Sequence, residues 1–260
     1  MQVLEPIWTK KPETAGRVRG RIEVILDGAK ARGYRDGENP ARWRGHLDKL
    51  LPARAKVRKV KHHTALPYDE IGAFMADLRE RDGTGPRALE FLILTAARTG
   101  EVIGAKWAEV DLNKKEWVVP AERTKADKEH RVPLSDAAVN LLKAIREASV
   151  ADYVFPGRKN DRPLSSSTFV QLLIRMDRSD LTIHGFRSTF RDWAAERTNY
   201  PSEVAEMALA HAVSDKVEAA YRRGDLFDKR RRFMQDWTEF CAKVPAEASD
   251  DNVVPINQPA

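Results

Sequence analysis

Apolar residues recur at helical spacing along most of this chain. Pro67 to Glu80 places Ile71, Phe74, Met75 and Leu78 on one helical face. The stretch Gly83-Thr84-Gly85-Pro86 predicts a break, and Arg87 to Ala97, with Leu89, Phe91, Leu92, Ile93 and Leu94, predicts a buried helix. Another helix is expected from Gly100 or Glu101. The texture then changes. Residues 116–120 and 129–134 read as two strands of a small sheet, and the polar stretch between them, with Lys125, Ala126, Asp127 and Lys128, reads as their turn. Ser135 is placed to cap a helix running to about Ala148. A loop is expected at 155–163, and helices at 165–176, 184–198, 201–211, 214–222 and 228–242. The remainder, 244–260, has no period and is expected to be disordered.

The front of the chain is different. Val18, Ile22, Ile25, Leu26 and Ala29 mark a helix over 12–33, stopped by Gly33, and a shorter helix is expected from Ala41 to Leu51, ended by Pro52. Residues 53–63 have no hydrophobic period and read as a basic linker. Two helices of this length make a poor core of their own. The pattern divides the chain into 1–65, a body 66–243 and a tail 244–260. There is no internal repeat.

Charge sharpens this division. The net charge of the 260 residues is +6, but residues 1–65 hold 16 Lys/Arg against 7 Asp/Glu while the rest holds 29 against 32. A basic module on a near-neutral body suggests contact with a phosphate backbone; a solvated helix pair rich in arginine is the plainer alternative. Mean hydropathy is −0.54, and no stretch approaches the ~20 apolar residues of a membrane span, so a soluble protein with no membrane partner is expected. The first residues lack the layout of a secretory signal. Cys241 is the single cysteine, which excludes an internal disulfide and a cysteine-based zinc site and suits a cytoplasmic setting.

Several residues have side chains suited to phosphoryl transfer. Arg98 lies where one predicted helix ends and the next begins, and Arg187 follows His184 by three residues on one helix face. Arginine neutralises non-bridging oxygens with paired hydrogen bonds. Lys125, in the turn, can reach a leaving-group oxygen; Lys128 competes for that role. His184 and His211 can exchange protons near neutral pH, and Tyr221 offers a phenol as nucleophile. Each taken alone has a bland reading: a surface ion pair, a solvated lysine, a packing tyrosine. His184 and His211 do not complete a metal-ligand pattern such as His-Glu-x-x-His, and His62-His63 read as solvated. No metal or other cofactor is expected.

Taken together, these segments resemble the tyrosine recombinase (phage integrase) family, in particular integrases of prophages and genomic islands of the satellite-phage type. The resemblance rests on Arg98-Thr99-Gly100-Glu101 followed by Lys106-Trp107; on Thr124-Lys125 leading into Val132-Pro133-Leu134-Ser135; on His184-Gly185-Phe186-Arg187; on Leu209-Ala210-His211; and on Tyr221 followed by the Met234-x-x-Trp237 helix. It covers residues 66–243. It implies a mainly α fold with a small antiparallel β-sheet. It also implies site-specific DNA recombination by metal-independent transesterification. Arg98 and Arg187 would clamp the scissile phosphate, Tyr221 would form a 3′-phosphotyrosyl link, and Lys125 would protonate the leaving oxygen. His184 would manage the tyrosine proton, His211 would hydrogen-bond the phosphate, and Glu101 would support the arginine site.

The implied partners are double-stranded DNA attachment sites and further copies of the chain, as a tetramer on DNA and a monomer without it. Residues 1–65 would be part of a core-binding domain and its linker, with an arm-binding domain and the first core-binding helices missing. A DNA-binding remnant that does not recombine, and relaxation of the type IB topoisomerase kind, are the alternatives. The helix at 228–242, with Phe233, Met234, Trp237 and Phe240 on its apolar side, can dock on its own domain or on a neighbour.

Overall fold

The structure, a computed structural model, describes residues 2–53, 64–148, 151–159, 161–211 and 224–244. The chain forms two compact units, Met1–His62 and His63–Ala260.

In the first unit, α1 (Glu5–Trp8) precedes α2 (Pro12–Ala31). α2 matches the periodicity, and its Pro12 occupies the first turn, where the missing N–H costs nothing. The expected helix over 41–51 does not form: turns lead to a short 3-10 segment, Leu47–Lys49. Gly45 takes φ +74, outside the right-handed helical range. Leu47 and Leu51 of this stretch are buried all the same, while Leu50 is exposed. Leu4, Trp8, Ala15, Leu47 and Leu51 form a small core, Trp43 stacks on Trp8 at 5.4 Å between ring centroids, and the Trp8 indole donates to the Pro52 carbonyl at 2.8 Å. Most of the basic linker, 54–63, lies outside the described residues.

The second unit begins with a 3-10 turn, Tyr68–Glu70, running into α3 (Ile71–Arg79). α4 (Thr84–Thr95) starts earlier than expected. Gly83, at φ +105, is its N-cap, and Pro86 sits in the first turn, where a backbone donor is not needed, so this stretch starts a helix as well as ending one. α4 is buried along nearly its whole length. α5 (Thr99–Ile103) follows after three residues. The sheet has three antiparallel strands in the order β1-β2-β3: β1 (Val110–Asp111), β2 (Glu116–Val119) and β3 (His130–Pro133). The expected pair is β2 and β3, with Trp117 opposite Val132 and Val119 opposite His130. The two-residue β1 was too short to carry an alternating signal.

α6 (Asp136–Ala148) begins at Ser135, whose hydroxyl accepts from the Ala138 N–H at 3.3 Å. α7 (Ser167–Arg175), α8 (Gly185–Arg197), α9 (Ser202–Ala208) and α10 (Phe227–Cys241) complete the unit. The helix expected at 214–222 lies outside the described residues, as do 245–260 of the tail.

α10 docks on its own unit. Phe233, Met234, Trp237 and Cys241 are buried, and the Trp237 indole donates to the Ile93 carbonyl of α4 at 2.8 Å. Phe190 and Trp193 of α8 meet Phe233 and Trp237 with centroids 5.0–5.4 Å apart. Gly72 of α3 is needed for this closure, since a Cβ there would lie 1.8 Å from the Lys243 carbonyl oxygen. No helix among the described residues is long and apolar enough to cross a membrane.

Candidate active site

Three of the six sequence-predicted residues meet at the ends of two helices. α4 ends at Ala96, which takes the left-handed conformation at φ +50. α9 ends the same way: Ala210 is at φ +47, and the Ala210 and His211 N–H groups turn back to the carbonyls of Met207 and Glu206 at 3.1 and 3.0 Å. This is a Schellman closure made without glycine. Both ends leave carbonyls facing the site. The Arg187 guanidinium, buried in the first turn of α8, donates to the carbonyls of Ala96 and Leu209, the latter at 2.5 Å. Arg98, the N-cap residue of α5, donates to the carbonyls of Leu209 at 3.2 Å and Ala210 at 3.0 Å.

Each cation is stabilised by the partial negative charge of a helix C-terminus. Arg98 is further held by Glu101. This buried carboxylate accepts from the Arg98 guanidinium at 2.9 Å and from its backbone N–H at 2.8 Å. Burial pushes the Arg187 guanidinium down to about 10, and the charge of Arg98 beside it adds to the shift. It remains charged at neutral pH. Its Nε is buried and has no hydrogen-bond partner among the described residues. Two adjacent guanidinium groups give this spot the charge that attracts an anion.

His211 completes this group. Its Nδ1 lies 2.6 Å from the Glu206 carboxylate, and its Nε2 is 3.5 Å from Arg187 Nη2. A carboxylate at Nδ1 fixes the ring so that Nε2 is the atom offered to the site. Glu206 also accepts from Arg191 at 2.8 Å. Burial works to raise the Glu206 carboxyl, but the hydrogen bonds from His211 and Arg191 outweigh it and hold the group below the usual carboxylate range.

The other predicted residues are placed separately. His184 is exposed at the N-cap of α8. That end is fixed by close approach: a Cβ on Gly185 would lie 2.4 Å from the Thr64 carbonyl oxygen. Lys125 is exposed in the turn between β2 and β3 and has no hydrogen-bond partner among the described residues; its competitor Lys128 is exposed in the same turn. Tyr221 lies outside the described residues. Among the described residues no group of three or more His, Cys, Asp or Glu is placed to hold a metal.

Sequence reasoning passed over three neighbours of this site. Glu206, five residues before His211, had a usable signal in its spacing. Arg123 reaches the Glu101 carbonyl at 3.0 Å and pairs with the Glu109 carboxylate. His130 is half-buried at the start of β3; burial pushes its imidazole down to about 4, Arg230 and Arg98 act in the same direction, and the nearby Glu101 carboxylate and Ala208 backbone oppose them. Neither carried a periodic or motif signal pointing to the arginines.

Known proteins share this architecture. In fold the chain is similar to a lambda integrase dimer bound to a COC′ core site, with a TM-score of 0.59 at 17% identity over 81% of this chain and 76% of that one. It is also similar to the Tn1549 transposon integrase in complex with circular intermediate DNA, with a TM-score of 0.60 at 14% identity over 90% and 82%. The mainly helical fold with its small antiparallel sheet is that of the tyrosine recombinase catalytic domain.

Sequence likeness extends further. The model of the phage integrase family matches residues 65–225, and that of the phage integrase central domain matches 1–46. The prophage integrase IntZ of Escherichia coli (strain K12) is 36% identical over 239 residues, covering 90% of this chain and 57% of the relative. The integrase of Enterobacteria phage P4 is 28% identical over 250 residues, covering 88% and 55%. The chain belongs to the phage integrase family. It spans about half the length of these curated relatives.

Proposed function

We propose that this protein cuts and rejoins DNA at specific sites, exchanging strands through a 3′-phosphotyrosyl intermediate. The observation that carries this reading is the convergence of Arg98, Arg187 and His211 on the end of α9, which makes a cationic receptor of the right character for a phosphodiester. Arg98 and Arg187 would bind the non-bridging oxygens, with His211, when its ring carries both protons, donating a third hydrogen bond from Nε2. Tyr221 would attack phosphorus as its proton passes to His184. The bond to the 5′ oxygen then breaks, and Lys125 supplies the proton that makes the 5′ hydroxyl. Attack by a 5′ hydroxyl from a partner strand reverses the steps. The ester keeps the bond energy, so the reaction needs no ATP or metal.

Two other tyrosines, Tyr68 and Tyr200, fit the nucleophile's role poorly. The phenols of Tyr68 and Tyr200 are bound to Glu196 and Asp236 at 2.8 and 2.7 Å. Burial, then Asp236, pushes Tyr200 up to about 12.

Residues 1–65, with their excess of arginine and lysine, would grip the DNA backbone as part of a core-binding domain, while 66–243 form the catalytic domain. The DNA-bound dimer of lambda integrase, and its tetramer on a Holliday junction, support DNA sites and further copies of the chain as partners; without DNA the chain would be a monomer. A cytoplasmic location follows from that role.

Covalent trapping tests the reading. The protein and its Tyr221→Phe variant are incubated with nicked suicide duplexes covering the junctions of the element that encodes it, then run on a denaturing gel. A DNA-linked band from the parent and none from the variant is expected. Bands of equal strength from both would overturn Tyr221 as nucleophile. Binding without any covalent band would favour a DNA-binding remnant, and relaxation of a plasmid lacking paired sites would favour topoisomerase-like activity.

A further inference from the structure

β2 ends at Val119 and β3 begins opposite it at His130, so residues 120–129 form the whole connection that carries Lys125. A connection of that length, with an exposed lysine at its tip, has no fixed relation to the arginines unless side chains tie it down. The turn is closed from within by Thr124. Its buried hydroxyl lies within hydrogen-bond distance of the carbonyls of Ala121 and Lys128, at 3.0 and 2.8 Å, and accepts from the Lys128 N–H at 3.1 Å.

Two further side chains, one on each side of Lys125, reach out of the turn to the backbone that holds the arginines. Arg123 donates to the carbonyl of Glu101, the residue whose carboxylate holds Arg98. Its other end pairs with Glu109, which also accepts from the Trp117 indole of β2 at 3.1 Å. The fold keeps a seat for this guanidinium: a Cβ on Gly104 would lie 2.8 Å from Arg123 Nη1. On the other side, His130 lies beside the backbone of Ala208. Ala208 directly precedes Leu209 and Ala210, whose carbonyls receive Arg98 and, at Leu209, also Arg187.

We propose that Arg123 and His130 are positioning residues that hold the Lys125 turn in register with the Arg98–Arg187 pair. The inference rests on the reading of Lys125 as the proton donor to the leaving oxygen. Lysine has a long, flexible side chain, so its delivery to one oxygen depends on where its backbone is fixed. Small misplacements of a reacting group cost large factors in rate.

The test separates proton delivery from every other defect. Suicide duplexes are made with the ordinary 5′ oxygen at the scissile phosphate or with sulfur in its place. A thiolate, whose conjugate acid has a pKa of about 8.5, leaves without a proton, whereas an alkoxide needs one. Cleavage rates of the full-length protein are compared for Lys125→Ala, Arg123→Met, His130→Ala and His130→Gln. Misfolding lowers both rates equally, so the oxygen-to-sulfur ratio is insensitive to it.

The expected result is a loss of about tenfold or more on oxygen for Lys125→Ala, Arg123→Met and His130→Ala, with rates on sulfur within about twofold of the parent. His130→Gln, which keeps a donor for the Ala208 backbone, should recover most of the oxygen rate. If Lys125→Ala shows the selective loss while Arg123→Met and His130→Ala lose equally on both substrates, or on neither, this inference fails and the role of Lys125 stands. If Lys125→Ala itself shows no selectivity, both fail.

Discussion

Arg98 and Arg187 donate to the same atom, the carbonyl oxygen of Leu209, at 3.2 and 2.5 Å. Two guanidinium groups sharing one acceptor are held closer than their charges favour. The arrangement persists because the carbonyls of Ala96 and Ala210, and the Glu101 carboxylate, take up the remaining strain.

Arg187→Lys is therefore not conservative. Lysine cannot bridge the Ala96 and Leu209 carbonyls with a planar fork. Covalent-complex formation is expected to fall by about 100-fold or more, with DNA affinity changed far less. Single-turnover trapping alongside a binding titration measures both.

Ala210 places two acceptors by adopting a conformation that costs an L-residue roughly 1–2 kcal/mol. Ala210→Val adds a β-branched side chain at that positive φ. A further loss of about 1–2 kcal/mol in unfolding free energy is expected, together with weaker cleavage because the Leu209 and Ala210 carbonyls shift. Ala210→Gly should retain activity. Urea unfolding of the two variants distinguishes them.

His130 makes stability depend on pH in a defined direction. Its imidazole titrates at about 4 in the fold against 6.5 when unperturbed. Between those values the unfolded chain binds the proton and the folded one does not, so stability rises with pH across this window and is lost as pH falls from about 6.5 to 4. The facing groups are Arg230 of α10 and Arg98 of α5, which favour the neutral ring, and Glu101 of α5, which opposes them. The contribution is at most about 3 kcal/mol. Thermal melts of the parent and His130→Gln from pH 4 to 7 should converge at the acid end, with the variant's curve flatter.

Trp237 joins α10 to α4 and α8 within the same unit. Trp237→Ala should cost about 3–5 kcal/mol, and sedimentation of the parent without DNA should give a monomer, because the apolar face of α10 is already covered. A stable DNA-free oligomer that the substitution dissolves would show that this face also serves a neighbour.

Much of this protein is settled by its sequence. The 3.6-residue period places α2, α3 and α6 to α10 within a few residues, since burial of one face is a local property of spacing. The paired runs around Lys125 give β2 and β3 for the same reason. The Arg98, His184-Arg187 and Leu209-His211 segments pick out the family before any contact is known.

What the tertiary structure decided is what those residues touch. Arg98 and Arg187 lie 89 positions apart and meet at a main-chain oxygen, which has no signature in the sequence. The helix end that presents this oxygen turns at Ala210, and the one that presents the Ala96 carbonyl to Arg187 turns at Ala96, both places where a sequence reading looks for glycine. Gly45 breaks the expected helix at 41–51 while Leu47 and Leu51 remain buried, because tertiary burial does not require a helix. Arg123 and His130 read as ordinary turn and strand residues. Long-range packing alone brings them to Glu101 and Ala208, because hydrogen bonds between distant segments depend on where the chain returns and leave no period along it.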